Sequence, residues 1–163
     1  MPLGGLISLA VLLPNILILL LPPAAAPAAA LEEKRGREFQ VMRAIERVGQ
    51  AGSFVIPFFY ALPPLRGASA DALFVMALAL LLYYIGWLRY ASKRHRYILL
   101  FAPLFGIPLP MVIAPVLYLG AAAVFLRAWP LGVAALLLAI GHIYVSQDAW
   151  TRCRVPRFMA TPE

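Results

Sequence analysis

Few side chains in this 163-residue chain can do chemistry, and most of them cluster. Arg43, Glu46, Arg47 and Gln50 stand at i, i+3, i+4 and i+7, so a helix would carry all four on one face. Far along the chain, His142, Ser146 and Asp148 share one short stretch. Glu46 or Asp148 can serve as a general base and His142 as its acid–base partner. Arg47 or Arg89 can clamp a phosphate. Arg89 and Tyr90 lead into the basic turn Lys93-Arg94-His95-Arg96, a seat for an anionic headgroup. The candidate ligand-binding set is therefore Glu46, Arg47, Gln50, Arg89, Tyr90, Arg94, His142 and Asp148.

The motifs that would fix a reaction are missing. The chain has no H-E-x-x-H, G-x-S-x-G, phosphate-binding loop, paired C-x-x-C or dinucleotide fingerprint. With Cys153 as the single cysteine, neither an intramolecular disulfide nor a thiolate metal site can form. His95 lies in a basic turn and His142 stands alone in its apolar stretch, so no metal, cofactor or catalytic residue is assigned.

The elements that must carry these residues are apolar. Hydrophobic residues make up 63% of the chain and charged residues 13%, and the mean hydropathy is +0.86. A soluble domain of this size cannot hide that much apolar surface. The expected fold is all-α: one polytopic membrane domain of five transmembrane helices, near residues 4–21, 43–62, 71–90, 110–126 and 130–148, with a short tail at 149–163. Small residues after the first stretch (Ala24-Ala25-Ala26, Ala28-Ala29-Ala30) imitate a signal-peptide cleavage site. The stretch has no charged leader, however, so the helix is expected to be retained.

Local detail follows from proline and length. Pro14 offers no amide hydrogen, which leaves the Ala10 carbonyl without its helical partner. Asn15 beside it is a polar amide that should face protein. In the second span only Ala51 to Leu62 is freely apolar. That is about 18 Å of helix against a hydrocarbon core of about 30 Å, so the polar stripe from Arg43 to Gln50 is expected to enter the bundle. Asp71 is expected to cap the third helix. Its Tyr83, Trp87 and Tyr90 share a face that suits an interfacial aromatic belt or a ring-lined groove. A single helix from Ile98 to Leu126 would be about 43 Å long, and Pro103, Pro108, Pro110 and Pro115 interrupt it. The fourth span should start at Pro110, after a proline-broken interfacial or re-entrant segment.

Basic residues alternate between the connections: zero before the first span, then five, one, four, one and three. Lys and Arg are retained on the cytoplasmic side, where anionic lipid attracts them. The expectation is a multi-pass protein of a bacterial inner membrane, N-terminus outside and C-terminus in the cytoplasm. Arg outnumbers Lys twelve to two, which suits a GC-rich genome. The net charge of +7 is accounted for by anionic phospholipid headgroups, and no nucleic-acid partner is expected.

The leading functional expectation is a small integral membrane protein that binds, or moves, an amphipathic or anionic small molecule at the inner leaflet. The alternatives are an accessory membrane subunit, in which polar groups only join helices, and an enzyme acting on a lipid or isoprenoid. Oligomeric state is not legible. The charge pattern predicts that a cysteine placed at Arg66 reacts with an impermeant thiol reagent from outside intact cells. Cys153 should react only after the cells are opened, and the reverse labelling would refute the orientation.

Overall fold

The computed structural model describes residues 3–23 and 36–154. Most of the charged connection, the small-residue stretch at 24–30 and the end of the tail lie outside the described residues. Among the described residues five α-helices follow in order: α1 (Gly5–Leu20), α2 (Arg37–Val55), α3 (Ala68–Ser92), α4 (Pro110–Leu126) and α5 (Trp129–Arg154). Among the described residues there is no strand, only an isolated bridge between Leu104 and Ile107. By length and composition α3 and α5 can cross a membrane, while α1 and α4 are shorter apolar helices.

The most extensive helix–helix contact is between α2 and α5. A Cβ on Gly49 would lie 2.3 Å from Leu138 N, and one on Gly141 would lie 2.5 Å from Glu46 N. A Cβ on Gly52 would come within 2.9 Å of Ala134 Cβ. The pairs Gly52–Ala134, Gly49–Leu138 and Glu46–Gly141 run in opposite chain order, so the two helices are antiparallel. Glycine at these crossings lets backbone meet backbone, the same device that small residues supply between membrane helices.

This contact corrects the expected polar stripe. The buried face of α2 carries Phe39, Gly49 and Ser53. Arg43, Arg47 and Gln50 are exposed, and only Glu46 of the stripe is drawn inward. The glycines win because they permit the closest approach, and an arginine there would hold the helices apart. The second span is displaced as well. The α-helix starts at Arg37 and stops at Val55, followed by one 3₁₀ turn, Ile56–Phe59, because buried Pro57 cannot continue the hydrogen-bond ladder.

Helix α1 is held mainly by side-chain hydroxyls. Ser8 Oγ donates to the Phe54 carbonyl (2.9 Å), and the Gly4 amide donates to the Tyr60 carbonyl (3.1 Å). Four tyrosines then line up along it. Tyr118 donates to Ile7 O (3.1 Å), Tyr84 to Ala10 O (3.0 Å), Tyr83 to Asn15 Oδ1 (2.6 Å) and Tyr90 to Leu21 O (2.8 Å). The carbonyl that Pro14 orphans is thus the one that Tyr84 satisfies. Tyr83, Trp87 and Tyr90 are buried against α1 and α4 and form neither an exposed belt nor a groove of rings.

Helix α3 begins at Ala68 behind Gly67, whose φ of +53° suits glycine. Asp71 sits in the first turn and makes no cap hydrogen bond, contrary to expectation. The break before α4 is as expected. One 3₁₀ turn (Tyr97–Leu100) and a tight turn at Leu104–Ile107 precede Pro110, the first helical residue. Pro115 lies inside α4 and is buried. Helix α5 extends to Arg154, so part of the expected tail is helical.

Replacing Gly49 with Ala should destabilise the protein by about 2–3 kcal/mol, because the new methyl meets immovable backbone. Gly120→Ala on α4, where no atom lies within 4 Å, should be neutral or slightly stabilising. Thermal unfolding of the two variants in one detergent checks the contrast.

Candidate functional site

A partly open cleft of about 330 Å³ runs between the helices, and each of the five contributes to its wall. Helix α1 supplies Ser8 and Asn15, two turns apart on one face. Gln50 and Ser53 come from α2, Tyr83 from α3, Pro115 from α4 and His142 from α5. The remaining wall is aliphatic or aromatic. Three of the polar groups are placed by contacts already described: Asn15 by Tyr83, Ser8 by the α2 backbone, and His142 by the α2–α5 approach.

The centre of the site is a pair. His142 Nδ1 lies 2.6 Å from Glu46 Oε1, with side-chain exposures of 30% and 17%. The contact depends on Gly141. With no Cβ at 141, α5 lies against the backbone of Glu46, and the next residue reaches the carboxylate. An acidic group drawn into an apolar bundle needs such a partner, since an unpaired carboxylate there is costly. The carboxylate accepts the Nδ1 hydrogen, which orients the ring and leaves Nε2 uncommitted. Ser53 Oγ is buried and has no hydrogen-bond partner.

The expected site residues divide. Glu46, Gln50 and His142 come together at the cavity. Arg47 projects to the exposed side of α2. Arg89 holds the segment before α4, donating to the Pro103 carbonyl at 2.7 Å and the Ala102 carbonyl at 3.4 Å. Tyr90 is fully buried and bonded to α1. Arg94 is exposed in the turn after α3, with φ +54°. Asp148 is paired with Arg152, whose Nε lies 3.0 Å from both carboxylate oxygens. No Lys or Arg among the described residues lines the cavity. The amino end of α4 offers few free amides to an anion. Leu109 and Pro110 are buried there, Pro110 has no amide hydrogen, and the Val112 and Ile113 amides both bond to the Leu109 carbonyl.

Ser8 and Ser53 were not among the candidates. Ser8 stands seven residues before Asn15 in an otherwise apolar stretch, and that spacing was the available signal. Among the described residues no three of His, Cys, Asp and Glu come together. A second, more open groove between α3, α4 and α5 is almost wholly apolar, with Asp71 at its edge.

No protein-family model matches the chain, and no curated protein or solved structure matches it significantly.

Changing Glu46 to Gln keeps the shape and removes the charge. The partly exposed pair should lose about 1–2 kcal/mol, lowering the melting temperature by about 2–8 °C. Arg47→Gln, at an exposed position, should change it by less than about 1 °C. Equal melting temperatures for the two variants would show that Glu46 contributes nothing to the bundle.

Proposed function

We propose that this chain is a five-span membrane protein whose central cavity binds an amphipathic small molecule. The observation that carries the reading is the cavity itself. All five helices wall it, its polar groups include Ser8, Asn15, Gln50, Ser53 and His142, the last paired with Glu46, and most of its remaining surface is apolar. Its volume falls at the lower end of the usual range for ligand pockets, about 300–1,000 Å³, which suits a single-chain compound better than a two-chain phospholipid.

The outer faces support the membrane setting. Leu9, Leu13, Ile16 and Leu20 are exposed on α1, as are Phe74, Leu78, Leu81 and Leu88 on α3. Large apolar side chains in such numbers exceed what a water-exposed monomer presents, whereas lipid covers them without cost. The basic-residue alternation supports the orientation, with the exposed Lys93, Arg94 and Arg96 among anionic headgroups at the inner surface. Residues 43–47 then lie near that surface, and the cavity lies deeper, between the leaflets.

A second reading, a lipid-modifying enzyme, draws on the 2.6 Å Glu46–His142 contact, which resembles an acid–base pair. It is weaker because no hydroxyl nucleophile is bonded to His142: Ser53 Oγ has no partner.

Protein purified in a mild detergent and released in a native mass spectrometer should carry a bound mass of single-chain lipid size. Ser53→Leu, which fills the cavity from a hydroxyl that has no partner, should abolish that mass while the protein remains folded by circular dichroism. Retention of the mass by the filled variant would place the ligand elsewhere and overturn the reading.

A further inference from the structure

We infer that the cavity's ligand carries a hydroxyl group, and that His142 Nε2 and the Asn15 carboxamide nitrogen are the atoms that recognise it. This deepens the proposed function and rests on the cavity being a ligand site.

The inference comes from counting what the cavity's polar atoms already do. Asn15 Oδ1 accepts from Tyr83 OH, so its amide nitrogen, a double donor, is left without a protein partner among the described residues. His142 Nδ1 is occupied by Glu46, so Nε2 is the ring's free atom. In the neutral ring that donates from Nδ1, Nε2 is an acceptor. The cavity thus presents an unmet donor on α1 and an unmet acceptor on α5, beside Gln50 of α2, whose carboxamide can both donate and accept. Ser53 adds a buried hydroxyl without a partner, able to act either way.

One small group meets both needs. A hydroxyl donates its hydrogen to Nε2 and accepts from the Asn15 amide. With Nε2 protonated instead, the hydroxyl oxygen can accept from both Nε2 and the Asn15 amide through its two lone pairs. A carboxylate or phosphate monoester dianion can only accept. It would lie near the Glu46 carboxylate with no Lys or Arg in the cavity wall to offset the repulsion. An ammonium can only donate, which leaves the Asn15 amide unmet. An alkane meets neither atom, and buried polar groups without partners are costly. Two sources of this chemistry fit an apolar cavity of this size: an aliphatic or isoprenoid alcohol, and a ring-borne phenol or quinol.

Diethyl pyrocarbonate acylates an unprotonated imidazole nitrogen, so it reads Nε2 of His142 directly. Modification would be followed by peptide mass spectrometry on wild-type protein in lipid nanodiscs, with His95 in the turn after α3 as the internal control. The probes are dodecanol, nonylphenol, dodecanoate, dodecylamine and dodecane at matched concentration. Dodecanol or nonylphenol, or both, should slow modification of His142 at least about tenfold relative to dodecane while His95 reacts at an unchanged rate, a ratio in the range of a lost buried hydrogen-bond pair. Protection by dodecanol alone would assign an alcohol, and protection by nonylphenol alone a phenol. Stronger protection by dodecanoate, dodecylamine or dodecane would overturn the hydroxyl assignment and leave the binding cavity standing. No protection by any probe, with none retained in native mass spectrometry, would overturn the binding reading as well.

Discussion

The close approach of α2 and α5 governs the rest of the molecule. Gly49 and Gly141 remove the side chains that would hold two helix backbones apart, and nothing larger fits at either crossing. Once those points are in contact, the rotation of each helix is set. Phe39, Gly49 and Ser53 turn inward on α2, and Leu131, Leu138 and Gly141 do so on α5. The charged edge of α2 is left outside, except for Glu46, which lies at the seam. His142 meets Glu46 because its preceding residue has no Cβ. The Glu46–His142 pair is therefore a consequence of glycine packing.

The tyrosines do for α1 what the glycines do for α2 and α5. An apolar helix broken by Pro14 has little to fix its depth or rotation, because apolar contacts have no direction. Hydroxyl donors have direction. Tyr118, Tyr84, Tyr83 and Tyr90 reach α1 at successive depths from Ile7 to Leu21, which sets both its height and the face it presents. That face holds Ser8 and Asn15 over the cavity. Pro115 on α4 and Tyr83 on α3 stand in its wall, and Tyr83 is backed by an edge-to-face contact with Trp87, which in turn meets Tyr90 edge-on. A hollow left open between five helices is unusual in a packed interior, where voids forfeit dispersion contacts. A resident molecule would restore those contacts, and this is the physical basis of the proposed binding role.

Helix content and most helix boundaries were legible in the sequence, because they follow from local rules. Apolar length marked the helices, Pro110 marked the start of α4, and four prolines forbade a continuous rod from Ile98 to Leu126. The orphaned Ala10 carbonyl was legible too, since Pro14 alone creates it. Its partner was not, because Tyr84 comes from a helix about seventy residues away. The same limit explains the site. Glu46, Gln50 and His142 could be named as polar groups in apolar surroundings. Which of the eight candidates meet depends on helix rotation and pairing, and only packing decides those. Arg89 and Asp148 looked like site residues by type, and in the fold each is committed to a neighbour of its own. Spacing along one helix fixes the angle between side chains on that helix. It says nothing about which side faces another helix, and in this chain glycines too small to register in any polarity pattern made that choice.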